Sequence, residues 1–167
     1  YQSSIKRNKS YTDLTIKEIS PVMKLNLRGK SRDFLSTIGK NINMILPLEA
    51  NTSSSSDKYT SMWLSPDEWM IVSNESIGKE NNNYEIENQL FNKISKTSLG
   101  SIKDVSDLFV LINIKGKKVF ELFSTGCPFN FNEFKVKKGS VVQTILSQID
   151  VIIHNKEIND INLYVRR

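Results

Sequence analysis

The sequence has 167 residues and a formal net charge of +5, a length at which one domain can bury a sizeable core. Its single cysteine excludes an intrachain disulfide, and with a single histidine it excludes a zinc site of the Cys/His type. No apolar run is long enough to span a membrane, and the first residues lack the apolar segment of a signal peptide, so we expect a cytoplasmic protein.

The positive charge lies mainly at the two ends of the sequence, in residues 6–9 and 166–167. Five of the 23 basic residues lie there, and the other 18 balance the 18 acidic residues. A nucleic-acid interface needs basic residues clustered on a folded face. The one internal cluster, residues 135–138, is either a solvated surface or a site for an anionic partner, and we expect no nucleic-acid partner.

The first predicted elements are a tail, a strand and a short helix. Residues 1–12 are polar and predict a flexible tail. The alternation over Val22–Arg28 predicts a half-buried strand. Ser31 can cap the following helix, and Gly39 is expected to end it. The predicted apolar side of this helix carries Phe34, Leu35 and Ile38.

A hairpin is predicted over Met62–Val72, where two apolar runs flank four turn-forming residues. Pro66 suits the second position of the turn because its ring presets φ. We expect Leu64 to face Trp69 across the hairpin, and both faces to be covered. Met62 and Ile71 are predicted on the same face of the hairpin as Leu64 and Trp69. Trp63, Met70 and Val72 are predicted on the opposite face.

The connections are polar, and the remaining elements are short. Residues 49–58, with four consecutive serines, and residues 74–83 predict surface loops. Residues 84–99 predict a helix that ends at Gly100. Its predicted apolar face carries Ile86, Leu90, Phe91 and Ile94. Further strands are predicted at residues 102–105, 151–153 and 161–165.

The pattern of the first half returns in the second. Ile112–Lys117 repeats Leu25–Lys30 at an offset of 87 residues. Val151–Ile153 corresponds to Trp69–Ile71 at an offset of 82 residues. We predict an α+β fold of mainly antiparallel sheets with a duplicated β-α-β-β unit. Residues 13–167 are then a single domain built from two similar units, about 20–100 and 101–167.

The two Gly-Lys pairs, at Lys30 and Lys117, precede predicted helices as a phosphate loop would. The Walker pattern needs a glycine five residues before the Gly-Lys pair and a Ser or Thr after the lysine. Lys24 and Leu111 occupy the glycine positions, and no Gly-x-Gly-x-x-Gly fingerprint occurs. We interpret both pairs as strand-to-helix turns.

Cys127 and His154 are the only residues of their kind. A nucleophile pair between them is formally possible, but a lone cysteine in an apolar stretch is usually a small core residue. Asp67 and Glu68 are adjacent in a turn, where solvated carboxylates are the default. The sequence therefore predicts no catalytic, cofactor-binding or metal-binding residue in this chain.

Five segments resemble the gamma subunit of heterotetrameric sarcosine oxidase. Trp63–Trp69 is similar to that family's Trp-Leu-Gly-Pro-Asp-Glu-Trp signature, and Ser124–Phe131 to its Gly-Cys-Pro-Leu-Asp-Leu stretch. The other segments are Asp104–Asp107, Gly139 with Gln143–Thr144, and Val165–Arg167. Three residues depart from the family pattern: Ser65 for Gly, Asn130 for Asp and Arg167 for Ser.

The resemblance implies a complex that oxidatively demethylates sarcosine to glycine, in sarcosine catabolism and one-carbon metabolism. FAD, FMN, NAD and tetrahydrofolate are then implied for the partner subunits, the larger flavin-bearing alpha and beta chains and a small delta chain. The gamma chain resembles a diverged folate-binding domain of the aminomethyltransferase type. Its implied role is structural, in assembly, without catalytic residues of its own.

The alternative is a free-standing folate-binding or iron–sulfur maintenance protein of the same superfamily. Those proteins carry a Lys-Gly-Cys-Tyr-x-Gly-Gln motif, whereas this cysteine lies in Thr125–Pro128, which disfavours that alternative. A generic structural adaptor is a third possibility. The family pattern also has a final helix after residue 167, and we expect its lack to expose Ile161 and Leu163 as part of a partner surface.

Overall fold

The computed structural model describes residues 3, 5, 8–19, 21–76 and 84–167. The strands are β1 (Lys9–Tyr11), β2 (Leu14–Glu18), β3 (Val22–Arg28), β4 (Ser53–Ser55), β5 (Tyr59–Ser65), β6 (Glu68–Ser76), β7 (Ser101–Asp104), β8 (Phe109–Lys115), β9 (Val141–Leu146), β10 (Ile149–Glu157) and β11 (Asp160–Arg166). The helices are α1 (Arg32–Ile42), α2 (Tyr84–Leu90) and α3 (Val119–Ser124), and α2 continues into a π-helical turn, Phe91–Ser95. The fold is α+β, as predicted.

The described residues group into two compact units. The first unit comprises residues 21–106, and its sheet has the order β4-β5-β6-β3-β7. The second unit combines the described residues up to 19 with residues 107–167, and its sheet has the order β1-β2-β8-β11-β10-β9. All strand pairings in both sheets are antiparallel.

The core of the first unit forms where β3 and β6 pack against α1. Ser31 caps α1 as predicted, and its hydroxyl accepts from the Phe34 amide at 3.0 Å. The helix does not end at Gly39. It continues to Ile42, which is buried, and Asn43 ends it with φ 51° in the left-handed region. Burial of one further apolar residue outweighs the local preference of glycine for a helix end.

The tryptophan hairpin forms between β5 and β6, but its predicted register is wrong. Trp63 pairs with Trp69, and a bulge at Leu64 separates this pair from the turn. A bulge adds one residue to one strand only. The side chains before the bulge therefore lie on the opposite face of the sheet from the one they would have in a regular hairpin. Met62 accordingly pairs with Met70, on the other side of the sheet from the two tryptophans.

Two other local predictions of the first unit need correction. The helix predicted over residues 84–99 is α2 plus the π-helical turn, and Phe91 is 46% exposed instead of contributing to the core. The serine-rich segment predicted as a loop contains β4, which pairs with β5. Serine hydroxyls and main-chain pairing stabilise this strand without apolar periodicity. Residues 77–83 of the second predicted loop lie outside the described residues.

The core of the second unit forms under β8, β10 and β11. Four phenylalanines contribute most of its aromatic packing, and they are Phe120, Phe123, Phe131 and Phe134. Ile161 and Leu163 of β11 belong to this core and are 0% and 4% exposed. The expectation that they form an exposed partner surface is therefore wrong. They point into the core from one face of β11, and Asn162 and Tyr164 lie on the opposite face.

The two sheets share one strand order. The succession β3-α1-β4-β5-β6 corresponds to β8-α3-β9-β10-β11, with β7 and β2 in the same place beside β3 and β8. The hairpin that matches β5–β6 is therefore β10–β11, at an offset of 92 residues, and the predicted match at 82 is wrong. Both hairpins carry a bulge at the same place, between Trp63 and Ser65 and between Asn155 and Glu157. Each half therefore has one strand more than the predicted β-α-β-β unit, and the duplication itself stays a prediction.

The strands β2 and β7 do not pair with the strands that directly follow them in sequence. The sequence Thr15-Ile16-Lys17-Glu18 resembles Ser101-Ile102-Lys103-Asp104, yet β2 pairs with β8 and β7 pairs with β3. Strand β2 therefore precedes β3 in sequence but belongs to the sheet of β8. Strand β7 precedes β8 in sequence but belongs to the sheet of β3.

The predicted flexible tail is described in part. Lys9–Tyr11 forms β1 and pairs with β2, which differs from the expectation for that segment. Residues 1, 2, 4, 6 and 7 lie outside the described residues. Among the helices of the described part, none is long and apolar enough to cross a membrane.

Candidate functional site

Cys127 lies in the core of the second unit. It follows α3, is 8% exposed and has its Sγ 3.6 Å from Oγ1 of Thr144. Thr144 pairs with Val151 across β9 and β10, so the cysteine contacts the face of the sheet that carries Val151 and Ile153. Its surroundings are those of a small packed residue.

His154 lies on the opposite face of the same sheet. It follows Ile153 directly in β10, and successive side chains of a strand point to opposite faces. The sheet therefore separates His154 from Cys127, so the two do not form a nucleophile pair. His154 is 3% exposed, and burial, assisted by Lys156, lowers its pKa to about 4 against the raising effect of Asp160. An imidazole with this pKa is a weak base at neutral pH.

Each unit carries the same polar triad at the end of its central strands. In the first unit, Asn26 Nδ2 donates to Glu68 Oε1 at 2.7 Å, and Arg28 reaches the other carboxylate oxygen at 2.8 Å. In the second, Asn113 donates to Asp160, which also pairs with Lys115. Glu68 and Asp160 are the first residues of β6 and β11, which pair with β3 and β8. The triads therefore connect each hairpin to the neighbouring central strand.

Lys24 is a buried cation that sequence reasoning missed, because it occupies a polar position in an alternating strand. It is 2% exposed, and its ammonium donates to the carbonyls of Val22 at 3.2 Å and Ser106 at 3.1 Å. The Ser106 hydroxyl accepts from the Lys24 amide at 2.9 Å. These bonds hold the segment after β7 against β3.

The Gly-Lys pairs are strand-to-helix turns in the structure, as predicted. Gly29 connects β3 to α1 and Gly116 connects β8 to α3. Gly29 donates its amide to the carbonyl of Asp67 at 3.1 Å, and Gly116 donates to that of Asn159 at 2.9 Å. Both amides bind the turn of the neighbouring hairpin, which gives these glycines a structural role.

The internal basic cluster lies in an exposed turn before β9. Lys138 forms an ion pair with Glu157, and Val136 is 75% exposed. Across the part of the chain that the structure describes, no group of three His, Cys, Asp or Glu side chains could hold a metal ion.

Two grooves remain as candidate binding features. In the first unit, a groove follows the end of α1, and its exposed apolar residues are Ile45 and Leu48, 82% and 68% exposed. In the second unit, a groove of about 490 Å³ crosses one face of the sheet beside β9. Its lining includes Phe109, Gln143, Ile145, Asp150, Ile152 and Arg166.

These features define an α+β protein whose described residues form two related antiparallel sheets and surface grooves. A family model described as "Sarcosine oxidase, gamma subunit family" matches residues 28–167. The match spans most of the chain, so the chain belongs to the sarcosine oxidase gamma subunit family.

A solved structure shows the same fold. The matched chain comes from the heterotetrameric sarcosine oxidase of Corynebacterium sp. U-96 in complex with pyrrole 2-carboxylate. The TM-score is 0.79 at 16% identity, over 92% of this chain and 75% of that chain. None of the curated protein sequences matches this chain.

Proposed function

We propose that this chain is the gamma subunit of a heterotetrameric sarcosine oxidase and that its role is assembly. The family match over residues 28–167 carries the proposal. The positions of Cys127 and His154 on opposite faces of one sheet agree with a subunit that has no chemistry of its own. The family match favours this function over a free-standing folate-binding or iron–sulfur maintenance protein.

The partners in this proposal are larger flavin-bearing alpha and beta subunits and a small delta subunit. The complex oxidatively demethylates sarcosine to glycine in the cytoplasm. FAD, FMN, NAD and tetrahydrofolate are bound by the partner subunits, and this chain supplies no cofactor, metal or catalytic residue. Exposed apolar side chains such as Ile45 and Ile145 support a role in contact with other chains.

The test is co-expression of this chain with its cognate large subunits, followed by size-exclusion chromatography and an assay of sarcosine oxidation. We expect the chain to elute with the large subunits, through an interface of at least ~1,200 Å². Co-expression without this chain should lower the yield of assembled enzyme. If the large subunits assemble into a fully active enzyme while this chain elutes alone, the proposal is wrong.

A further inference from the structure

In the part of the chain that the structure describes, strand β9 is an edge of the six-stranded sheet that lacks the usual protection. It reads Val-Val-Gln-Thr-Ile-Leu, without charge or proline. The other three edge strands are protected: β1 and β4 have three residues each, and β7 carries Lys103 and Asp104. Natural sheets protect edges with short strands and charges, because an open edge pairs with other chains.

The hydrogen-bond pattern of the β9–β10 hairpin shows which main-chain groups face this edge. The turn residues Ser147 and Gln148 have φ of 48° and 73°, as a two-residue type I′ turn requires. Leu146 closes the turn, and Asn155 donates its amide to the carbonyl of Ser140 at 2.9 Å. Bonded pairs alternate with unbonded ones in an antiparallel ladder. The amide and carbonyl of Ile145 therefore point away from β10, toward the open edge.

The second groove lies directly beside this edge. Ile145 is 44% exposed and pairs with Asp150, and Arg166 pairs with Phe109 further across the sheet. Alternate side chains of an added strand would pack next to Ile145, on the groove face. Main-chain bonds would provide affinity, and the groove would select the side chains.

We propose that β9 receives an extended segment of a partner subunit as a seventh strand of this sheet. The segment is uncharged at its centre and places an apolar side chain beside Ile145. This inference rests on the proposed function, because it assigns the surface at which the assembled partner binds.

The small size of the edge favours a partner subunit over a second copy of this chain. A six-residue strand is about 20 Å long and adds about 5 Å of width, so its footprint is on the order of 100 Å². A stable interface needs roughly 800 Å² per partner. The occupant must therefore be held by further contacts, as a subunit of the same complex is.

The first test compares two substitutions of one residue in the co-expressed complex. Ile145→Pro removes the outward amide and leaves the β10 ladder intact, whereas Ile145→Thr keeps the amide and the β-branched shape. We expect Ile145→Pro to weaken binding to the partner subunits at least ~10-fold and Ile145→Thr to stay within ~3-fold, a contrast expected for main-chain pairing. Equal losses for the two variants would indicate a side-chain contact only and would overturn strand addition.

The second test is hydrogen exchange of the Ile145 amide in the wild-type subunit, which needs no variant to fold. The amide should exchange at least ~100-fold more slowly in the complex than in the isolated chain. Amides of the edge strand β7 serve as the internal control and should not change. Unchanged exchange at Ile145 in an assembled complex overturns the inference.

The outcomes separate this inference from the proposed function. If the wild-type chain assembles and folded Ile145→Pro assembles equally tightly, β9 is not the site although the function stands. If Ile145→Pro affects only self-association of the isolated chain, the occupant is a second copy and the inference is wrong. If the wild-type chain does not assemble at all, both proposals are wrong.

Discussion

Asn113 donates a 2.7 Å hydrogen bond to the Asp160 carboxylate, in the same way that Asn26 binds Glu68 in the other sheet. The Asp160 side chain is 12% exposed, so it depends on this donor more than on water. The paired positions join the end of β8 to β11 and the end of β3 to β6.

Replacing this donor should destabilise the second unit. We expect Asn113→Ala to lower the free energy of unfolding by about 1.5–3 kcal/mol, the range for a bond to a charged group. Lys115→Ala is the matched control, since Lys115 contacts the same carboxylate from a 67% exposed side chain; it should cost less than about 1 kcal/mol. Urea unfolding measures both. Equal costs for the two variants would show that Asn113 has no special role.

Stability should fall with decreasing pH because of His154. Its pKa is about 4 in the folded chain against 6.5 ordinarily, mainly because of burial. The unfolded chain therefore takes up the proton first as the pH falls. The free energy of unfolding should decline from about pH 6.5 to about pH 4, by roughly 3 kcal/mol in total.

His154→Met tests this pH dependence. Met62 occupies the corresponding position of the other sheet and is fully buried, so methionine suits the site. The chain contains a single histidine, and the variant should lose most of the decline between pH 6.5 and 5 in urea unfolding experiments. Parallel pH profiles for the variant and the wild type would show that His154 is not responsible.

Gly116 is required by its backbone conformation. Its φ is +140°, and a Cβ there would lie 2.0 Å from the carbonyl oxygen of Asp13. We expect Gly116→Ala to destabilise the protein by about 3 kcal/mol or more, since both strain and a main-chain clash oppose it. Gly126→Ala is the control, because its Cβ would meet the Ser147 hydroxyl, which can rotate. Similar thermal unfolding of both variants would contradict this reading.

Cys127 and His154 should be dispensable for turnover. Each is buried, and the sheet separates them. Cys127→Ser and His154→Gln should leave the rate of the assembled complex within a few fold. A loss on the order of 10³-fold with assembly intact, the scale of a lost nucleophile or general base, would mean that one of them takes part in the reaction.

The isolated chain should be colourless. Its sequence has neither a dinucleotide fingerprint nor a phosphate loop. An absorption spectrum of the purified, dialysed chain should show no flavin bands. Stoichiometric flavin absorbance that survives dialysis would contradict the assignment of the cofactors to other subunits.

The sequence correctly predicted elements that depend on residues close together in the chain. The strand β3, the capping of α1 by Ser31 and the Gly-Lys turns are correct, because each depends on local geometry. The predicted half-burial of β3 is wrong, because Val22 and Lys24 on its polar face are also buried. The candidate site was less predictable. His154 lies on one face of β10, and Cys127 packs against the other face. No spacing in the sequence indicates that the sheet separates them.

The sequence alone determined the α+β class, the repeated strand and turn, and the resemblance to the gamma subunit family. Only the tertiary structure decided that β2 pairs with β8, that β7 pairs with β3 and that the bulge at Leu64 brings Trp63 opposite Trp69. Alternation shows which face of a strand is buried and does not identify its partner. Partners far apart in sequence are selected by the apolar surface that the whole sheet buries, and a bulge shifts the register without a clear sequence signal.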